Sequence, residues 1–131
     1  MYLRNKKSSP KLLIIDDNRY YATTLCTVAS YLGFNANAIM PGPSVVWSIL
    51  NADLLVLDLD MPGMNGIDVL HEMAIEKVPT KVLLLSGVCP DLLQQSKDQA
   101  REWGIDVVGC LSKPVRVNEL KDFLKRSYEN R

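Results

Sequence analysis

The sequence predicts an α/β sandwich built on a five-stranded parallel sheet, and three observations carry the prediction. Short, unbroken apolar runs recur along the 131 residues: Leu12–Ile15, Leu54–Leu57, Val82–Leu85 and Val107–Leu111. Such runs suit strands buried on both faces, as in a parallel sheet. Amphipathic stretches at helical spacing alternate with them, and parallel neighbours need crossovers of that kind. Finally, the runs stop on polar groups: Asp16-Asp17, Asp58, Ser86 and, two residues after the last run, Lys113-Pro114.

The elements follow in order. Met1 to Pro10 is polar, basic and unpatterned, and reads as a flexible tail (residues 1–10) before a single domain. After the first strand, Leu25, Val28, Ala29 and Leu32 repeat as one helical stripe that Gly33 stops. A weak second strand, Phe34 to Met40, places Ala36, Ala38 and Met40 on alternate positions. Pro41-Gly42-Pro43 forces a turn, and Pro43 can open a short helix of two turns through Trp47 to Leu50. The third strand spans Asp53 to Asp58. Asn65 can then cap a helix with Ile67, Leu70 and Ala74 inward. Strand four is Lys81 to Ser86. Pro90 opens a mostly polar helix, Asp91 to Trp103, expected to pack least firmly. Strand five, Ile105 to Leu111, precedes a helix with Val117, Leu120 and Leu124 on one stripe.

Composition narrows the function. Fifteen basic and fifteen acidic residues cancel, so no global field favours nucleic acid or an anionic membrane. No apolar run approaches the ~20 residues of a membrane helix, and no signal-peptide core follows the basic start. Cys26, Cys89 and Cys110 are odd in number and lack metal-ligand spacing, which points to small half-buried thiols in a reduced, cytoplasmic setting.

In open parallel sheets the ligand crevice lies at the carboxyl ends of the strands. Three acids, a hydroxyl and a lysine should converge there. Asp16, Asp17 and Asp58 would raise each other's pKa unless a cation joined them. Magnesium suits so few carboxylates because it keeps several waters. The plainer use of the acidic pair is a turn in which Asp17 or Asn18 caps the helix. Asp58 is followed by Leu59-Asp60-Met61-Pro62-Gly63-Met64-Asn65-Gly66, a sharp turn rich in backbone polar groups. A carboxylate beside a metal and a lysine is a nucleophile toward phosphorus. Ser86 and Lys113 can serve the oxygens of a transferring phosphoryl group.

Together, Asp16-Asp17, Asp58 through Gly66, Ser86-Gly87 and Lys113-Pro114 make the chain similar to the receiver domain of two-component response regulators. The likeness is to receivers of the single-domain chemotaxis-regulator type, and it covers about Lys11 to Tyr128. The resemblance implies a receiver domain over residues 11–128, with 129–131 as a tail or the start of a linker. It implies a flavodoxin-like three-layer sandwich with sheet order 2-1-3-4-5 and five helices. It implies that Asp58 accepts a phosphoryl group from a sensor histidine kinase or a phosphotransfer protein. Asp17, Asp58 and the Asp60 backbone carbonyl would ligate Mg2+, with Asp16 reaching it through water. Ser86 and Lys113 would contact the phosphoryl oxygens, and Lys113-Pro114 would be cis. An output domain or target protein would receive the signal, a homodimer is admissible, and direct nucleic-acid or membrane binding is not implied. The Ser86-Gly87-Val88 and Val108 to Pro114 stretches also look somewhat like receivers attached to cyclic-di-GMP phosphodiesterases.

Two positions depart from the family pattern. Cys110 stands where an aromatic switch residue is usual, so the readout is expected to pass through the loop Gly87 to Pro90 and the following helix. Asp60 places a further acid near the phosphoryl group, at a position that, with Val88, tunes acyl-phosphate lifetime in the family. Elsewhere plainer uses are expected: His71 as a surface or half-buried helical residue, Trp47 and Trp103 in packing or partner contacts, and Tyr20 and Tyr21 in helix packing, although either follows the acidic pair closely enough to line the site mouth. Two other functions compete. Asp58-Leu59-Asp60 resembles the nucleophile motif of haloacid-dehalogenase-like phosphatases, but the acidic pair precedes it and no cap segment fits. A receiver fold used as a non-phosphorylated scaffold is the other, and the clustered acids argue against it. Flavin binding fails for lack of a phosphate loop after the first strand.

Overall fold

The computed structural model describes residues 9–42, 45–61, 65–87 and 90–129. Five strands, β1 (Lys11–Ile15), β2 (Asn35–Ile39), β3 (Leu54–Asp58), β4 (Lys81–Ser86) and β5 (Val107–Ser112), alternate with α1 (Arg19–Tyr31), α2 (Val45–Ile49), α3 (Gly66–Ile75), α4 (Pro90–Glu102) and α5 (Val117–Glu129). All strand pairs are parallel, in the order β2-β1-β3-β4-β5. This is the expected flavodoxin-like sandwich.

The period of two along each strand splits the core into two layers. Leu13, Ile15, Leu55, Leu57, Val82 and Leu84 face α2, α3 and α4. Leu12, Ile14, Leu54, Val56, Leu83 and Leu85 face α1 and α5. The central strands β1, β3 and β4 are buried almost throughout. The edge strands are not: β2 and β5 are mostly half-exposed or exposed. In β2, Ala36 packs toward α1 and α5 and Ile39 toward the opposite layer, while Ala38 and Met40 face solvent. The alternating set read from sequence is therefore only partly a core face, because an edge strand has a neighbour on one side alone.

Helix boundaries follow local chemistry. The Asn18 side chain caps α1 by accepting from Tyr21 N at 3.1 Å. Gly33, at φ 100°, turns the chain out of the helix in a conformation that penalises a Cβ. Asn65 caps α3 through Ile67 N at 3.0 Å, as expected. Gly66 follows because a Cβ there would lie 2.9 Å from Leu59 Cα and 3.0 Å from the Asp58 carbonyl oxygen. That close approach seats α3 directly against the end of β3.

Some inward faces differ from expectation. In α2, Val45, Val46 and Ile49 are buried whereas Trp47 and Leu50 are exposed, since a helix of five residues aims only one narrow stripe at the sheet. In α3, Val69, Leu70 and Met73 form the buried centre, with Ile67 and Ala74 at its margin. Polar α4 buries Leu93, Ser96 and Ala100. In α5, Leu120 and Leu124 are buried but Val117 is exposed. Buried Thr80 ties the end of α2 to the entry of β4, donating to the carbonyls of Ile49 at 2.9 Å and Ala52 at 3.0 Å. Pro10, read as tail, is buried, and its carbonyl accepts from Asn35 N at 2.8 Å. The sequence readings of Pro43, Pro62, Gly63, Val88 and Cys89 lie outside the described residues. Among the described residues, no helix is long and apolar enough to cross a membrane.

Candidate functional site

Strand register decides which polar ends meet. Ile15 pairs with Leu57, so Asp16 and Asp58 stand level on adjacent central strands. Both continue the parity of Ile14 and Val56 and lean toward the α1 and α5 layer. Ser86 pairs with Ser112, so Lys113 follows one step beyond the end of β5. Its backbone N–H donates to the Ser86 carbonyl at 2.8 Å, and the Lys113-Pro114 bond is cis, as expected. The Lys113 side chain returns over the sheet end, and Nζ lies 2.9 Å from Asp16 Oδ2 and 3.0 Å from Asp58 Oδ2.

Asp16 and Asp58 are each only 1% exposed. Asp16 Oδ1 accepts from Asn18 N at 2.9 Å, and Asn18, not Asp17, is the helix cap. Asp58 Oδ1 accepts from Asp60 N at 3.0 Å. Carboxylate oxygens of Asp16, Asp17 and Asp58 all lie within 4.8 Å of one another. Asp16 Oδ2 is buried, and its contact with Lys113 is an ion pair. Three carboxylates clustered around one ammonium leave an excess of negative charge and hard oxygen donors, which fits a divalent cation such as Mg2+.

Tyr21 belongs to this site: of the two uses the sequence offered, the site mouth and helix packing, the structure shows the first. Its ring carries Lys113 Nζ at 4.8 Å from the centroid, and its hydroxyl accepts from Val115 N at 3.0 Å. The cation over a ring face and the fixed backbone after the cis bond together hold the lysine in place. The only sequence signal was Tyr21's position one turn after the acidic pair. Tyr20, by contrast, is 89% exposed.

Asp60 is the second departure. Its carboxylate accepts the Ser86 hydroxyl, with Oδ1 at 3.0 Å and Oδ2 at 3.1 Å, and Oδ2 also takes Gly87 N at 2.6 Å. The sequence pointed to its backbone carbonyl; the structure adds a side chain seated on the hydroxyl and the next amide. The other singled-out residues lie elsewhere. Cys110 pairs with Leu84 and is half-buried against the α2–α4 layer. Exposed His71 stacks on Trp103 at 4.8 Å between centroids. Cys26 and Cys110 are free thiols.

Burial pushes Asp58 above the ordinary carboxyl value of 3.8, and neighbouring Asp16 adds to the rise; the Asp60 N–H and Lys113 oppose it. Burial would lower Lys113, but its two carboxylate partners outweigh it and hold the ammonium above 10.5. Tyr21 is likewise raised by burial. The sign for stability follows from linkage. The folded state binds the Asp58 proton more tightly than the unfolded chain, so stability falls as pH rises from about 3.8 through the raised value. Lys113 contributes stability that is complete below 10.5 and is lost as pH climbs through its folded value. Without divalent ions, urea unfolding should therefore show a drop in stability as pH rises out of the ordinary carboxyl range, and this drop should vanish in Asp58→Asn. An equal pH dependence in both proteins would contradict this.

Residues 12–125 match the response regulator receiver domain family. Relatives include the cell cycle transcriptional regulator CtrA of Caulobacter vibrioides, 35% identical over 79 residues, covering 59% of this chain and 34% of that protein. The cell cycle response regulator CtrA of Brucella ovis is 27% identical over 112 residues, covering 84% and 46%. The chain thus spans less than half the length of these curated relatives. Among solved structures, a response regulator from Colwellia psychrerythraea aligns with TM-score 0.81 and 26% identity over 95% of this chain and all of that one. The Francisella response regulator 1452 receiver domain aligns with TM-score 0.76 and 26% identity over 93% and 98%.

Proposed function

The chain belongs to the response regulator receiver domain family, and on that footing we propose that Asp58 is its phosphoacceptor in a two-component phosphorelay. The observation that carries this reading is the Lys113 bridge: one ammonium held by Asp16 and Asp58 at the end of two central strands. The donor is a phosphohistidine on a sensor histidine kinase or phosphotransfer protein. Asp58 Oδ attacks phosphorus, an O–P bond forms as the N–P bond breaks, and the electron pair leaves on the imidazole, which takes up a proton.

This chain's residues supply positioning and charge. The Asp60 N–H fixes one Asp58 oxygen and Lys113 holds the other, which keeps the carboxylate anionic against its burial. Lys113 and Ser86 are the groups for the phosphoryl oxygens, with Gly87 N beside them. Asp16, Asp17, Asp58 and the Asp60 backbone carbonyl would hold Mg2+, whose chemistry is to neutralise negative charge between carboxylates and phosphoryl oxygens. The domain so described is a phosphoacceptor that assists its own modification and hydrolysis. A phosphatase of haloacid-dehalogenase type is set aside by the family assignment. We place the domain over residues 11–128, in the cytoplasm, acting on an output domain or a separate target.

Intact mass spectrometry after incubation with acetyl phosphate and Mg2+ tests the reading. One phosphoryl group should be gained, and chelation should suppress the gain by roughly tenfold or more. No gain with Mg2+ present would overturn it.

A further inference from the structure

The donors that the proposed chemistry assigns to the phosphoryl group are already engaged by an anion. Ser86 Oγ and Gly87 N, adjacent groups at the end of β4, both point at the Asp60 carboxylate. A carboxylate presents oxygens with negative charge and acceptor lone pairs, as a phosphoryl group does, and the 2.6 Å contact from Gly87 N is of charge-assisted length. Ser86 is fully buried, so its hydroxyl has little alternative solvation in this pose.

We propose that Asp60 is an internal competitor for the phosphoryl-recognition donors, and that phosphorylation of Asp58 is read out as eviction of the Asp60 carboxylate from Ser86 and Gly87. This rests on Asp58 being the phosphoacceptor. The inference has two physical consequences. Accepting a phosphoryl group exchanges one anion for another at these donors, so part of its binding is spent displacing Asp60. The Ser86 hydroxyl is already turned toward an anionic acceptor beforehand, so in this proposal the moving part is Asp60 and not Ser86. That suits Cys110, whose small side chain cannot follow a hydroxyl shift with a ring rotation. The evicted carboxylate, two residues past Asp58 and close to the start of α3, swings outward to solvent and changes the charge beside the β4 end.

Beryllofluoride with Mg2+, which attaches to a phosphoacceptor carboxylate as a phosphoryl mimic, provides the test by calorimetric titration. Asp60→Ala and Asp60→Asn should bind it roughly tenfold or more tightly than the wild type, the scale of one charge-assisted hydrogen bond. Adding Ser86→Ala to Asp60→Ala should shrink that gain. Independently, the Gly87 amide resonance should move upfield in unphosphorylated Asp60→Ala, where the amide loses its carboxylate acceptor. Equal affinities in all three proteins would overturn the competition while leaving Asp58 as acceptor. A gain undiminished by Ser86→Ala, or an unmoved Gly87 amide in Asp60→Ala, would also overturn it. Failure of every protein to bind beryllofluoride, with Asp58→Ala indistinguishable from wild type, would overturn both this inference and the phosphoacceptor reading beneath it.

Discussion

Asp58→Ala is expected to abolish phosphoryl uptake completely, with no transfer of the label to a neighbouring acid. The neighbours are poor substitutes for reasons visible in their contacts. Asp16 is held by Asn18 N on one oxygen and sits against Lys113 with the other. Asp17 is the more exposed member of the acidic cluster, and the Asp60 carboxylate is engaged by Ser86 and Gly87. Asp16 shares the fixed oxygen and the lysine partner, but Asp58 alone of the two stands at the end of β3, the middle strand of the five, next to the Ser86 and Gly87 donors that end β4. The loss is not expected to come from misfolding. Removing a buried carboxylate from beside Asp16 relieves like-charge repulsion and leaves a one-to-one Lys113–Asp16 pair, so stability should equal or exceed that of the wild type. Mass spectrometry and urea unfolding on the same preparation check both halves. Residual uptake on Asp17 or Asp60 would show that the site is less selective than its geometry implies.

Lys113→Met should be the most destabilising single change at the site. It removes the one cation, among the described residues, that is ion-paired with two almost fully buried carboxylates. Stranding buried charge in this way costs about 3–5 kcal/mol. Without Lys113, Asp58 should rise further above its ordinary carboxyl value, because burial and Asp16 already push it upward and one opposing partner is gone. The deficit should therefore shrink as pH falls toward the carboxyl range and protonation discharges the pair. Mg2+ should recover part of it by binding the folded state alone, about 2.7 kcal/mol at a hundredfold excess over Kd. Urea unfolding across pH, with and without Mg2+, reads all three effects. A loss below about 1 kcal/mol at neutral pH would mean that the carboxylates find compensation elsewhere.

The fold and most of the site were legible in the chain itself. Continuous apolar runs at Leu12–Ile15, Leu54–Leu57 and Val82–Leu85 read as strands buried on both faces, and they are the central strands. Asn65 and Gly33 marked helix ends through chemistry that acts over a few residues. The edge elements were less legible. Ala38 and Met40 alternate as a core face would but look outward, and Trp47 and Leu50 are apolar yet exposed. Whether such residues are covered depends on the number of neighbouring elements, and a local pattern does not encode that number.

The sequence by itself determined the β-α order and the chemistry set of Asp16, Asp17, Asp58, Ser86 and Lys113. Residues that end parallel strands must converge at one edge of the sheet, whatever the details of packing. Tertiary structure alone decided two further matters. It brought Tyr21 to Val115, 94 residues away, beneath the lysine. It also seated Asp60 on Ser86 and Gly87, 26 and 27 residues further along the chain. Both contacts depend on strand register and the path of a loop, which set a side chain's direction to within one hydrogen bond. Residue type and spacing constrain neither.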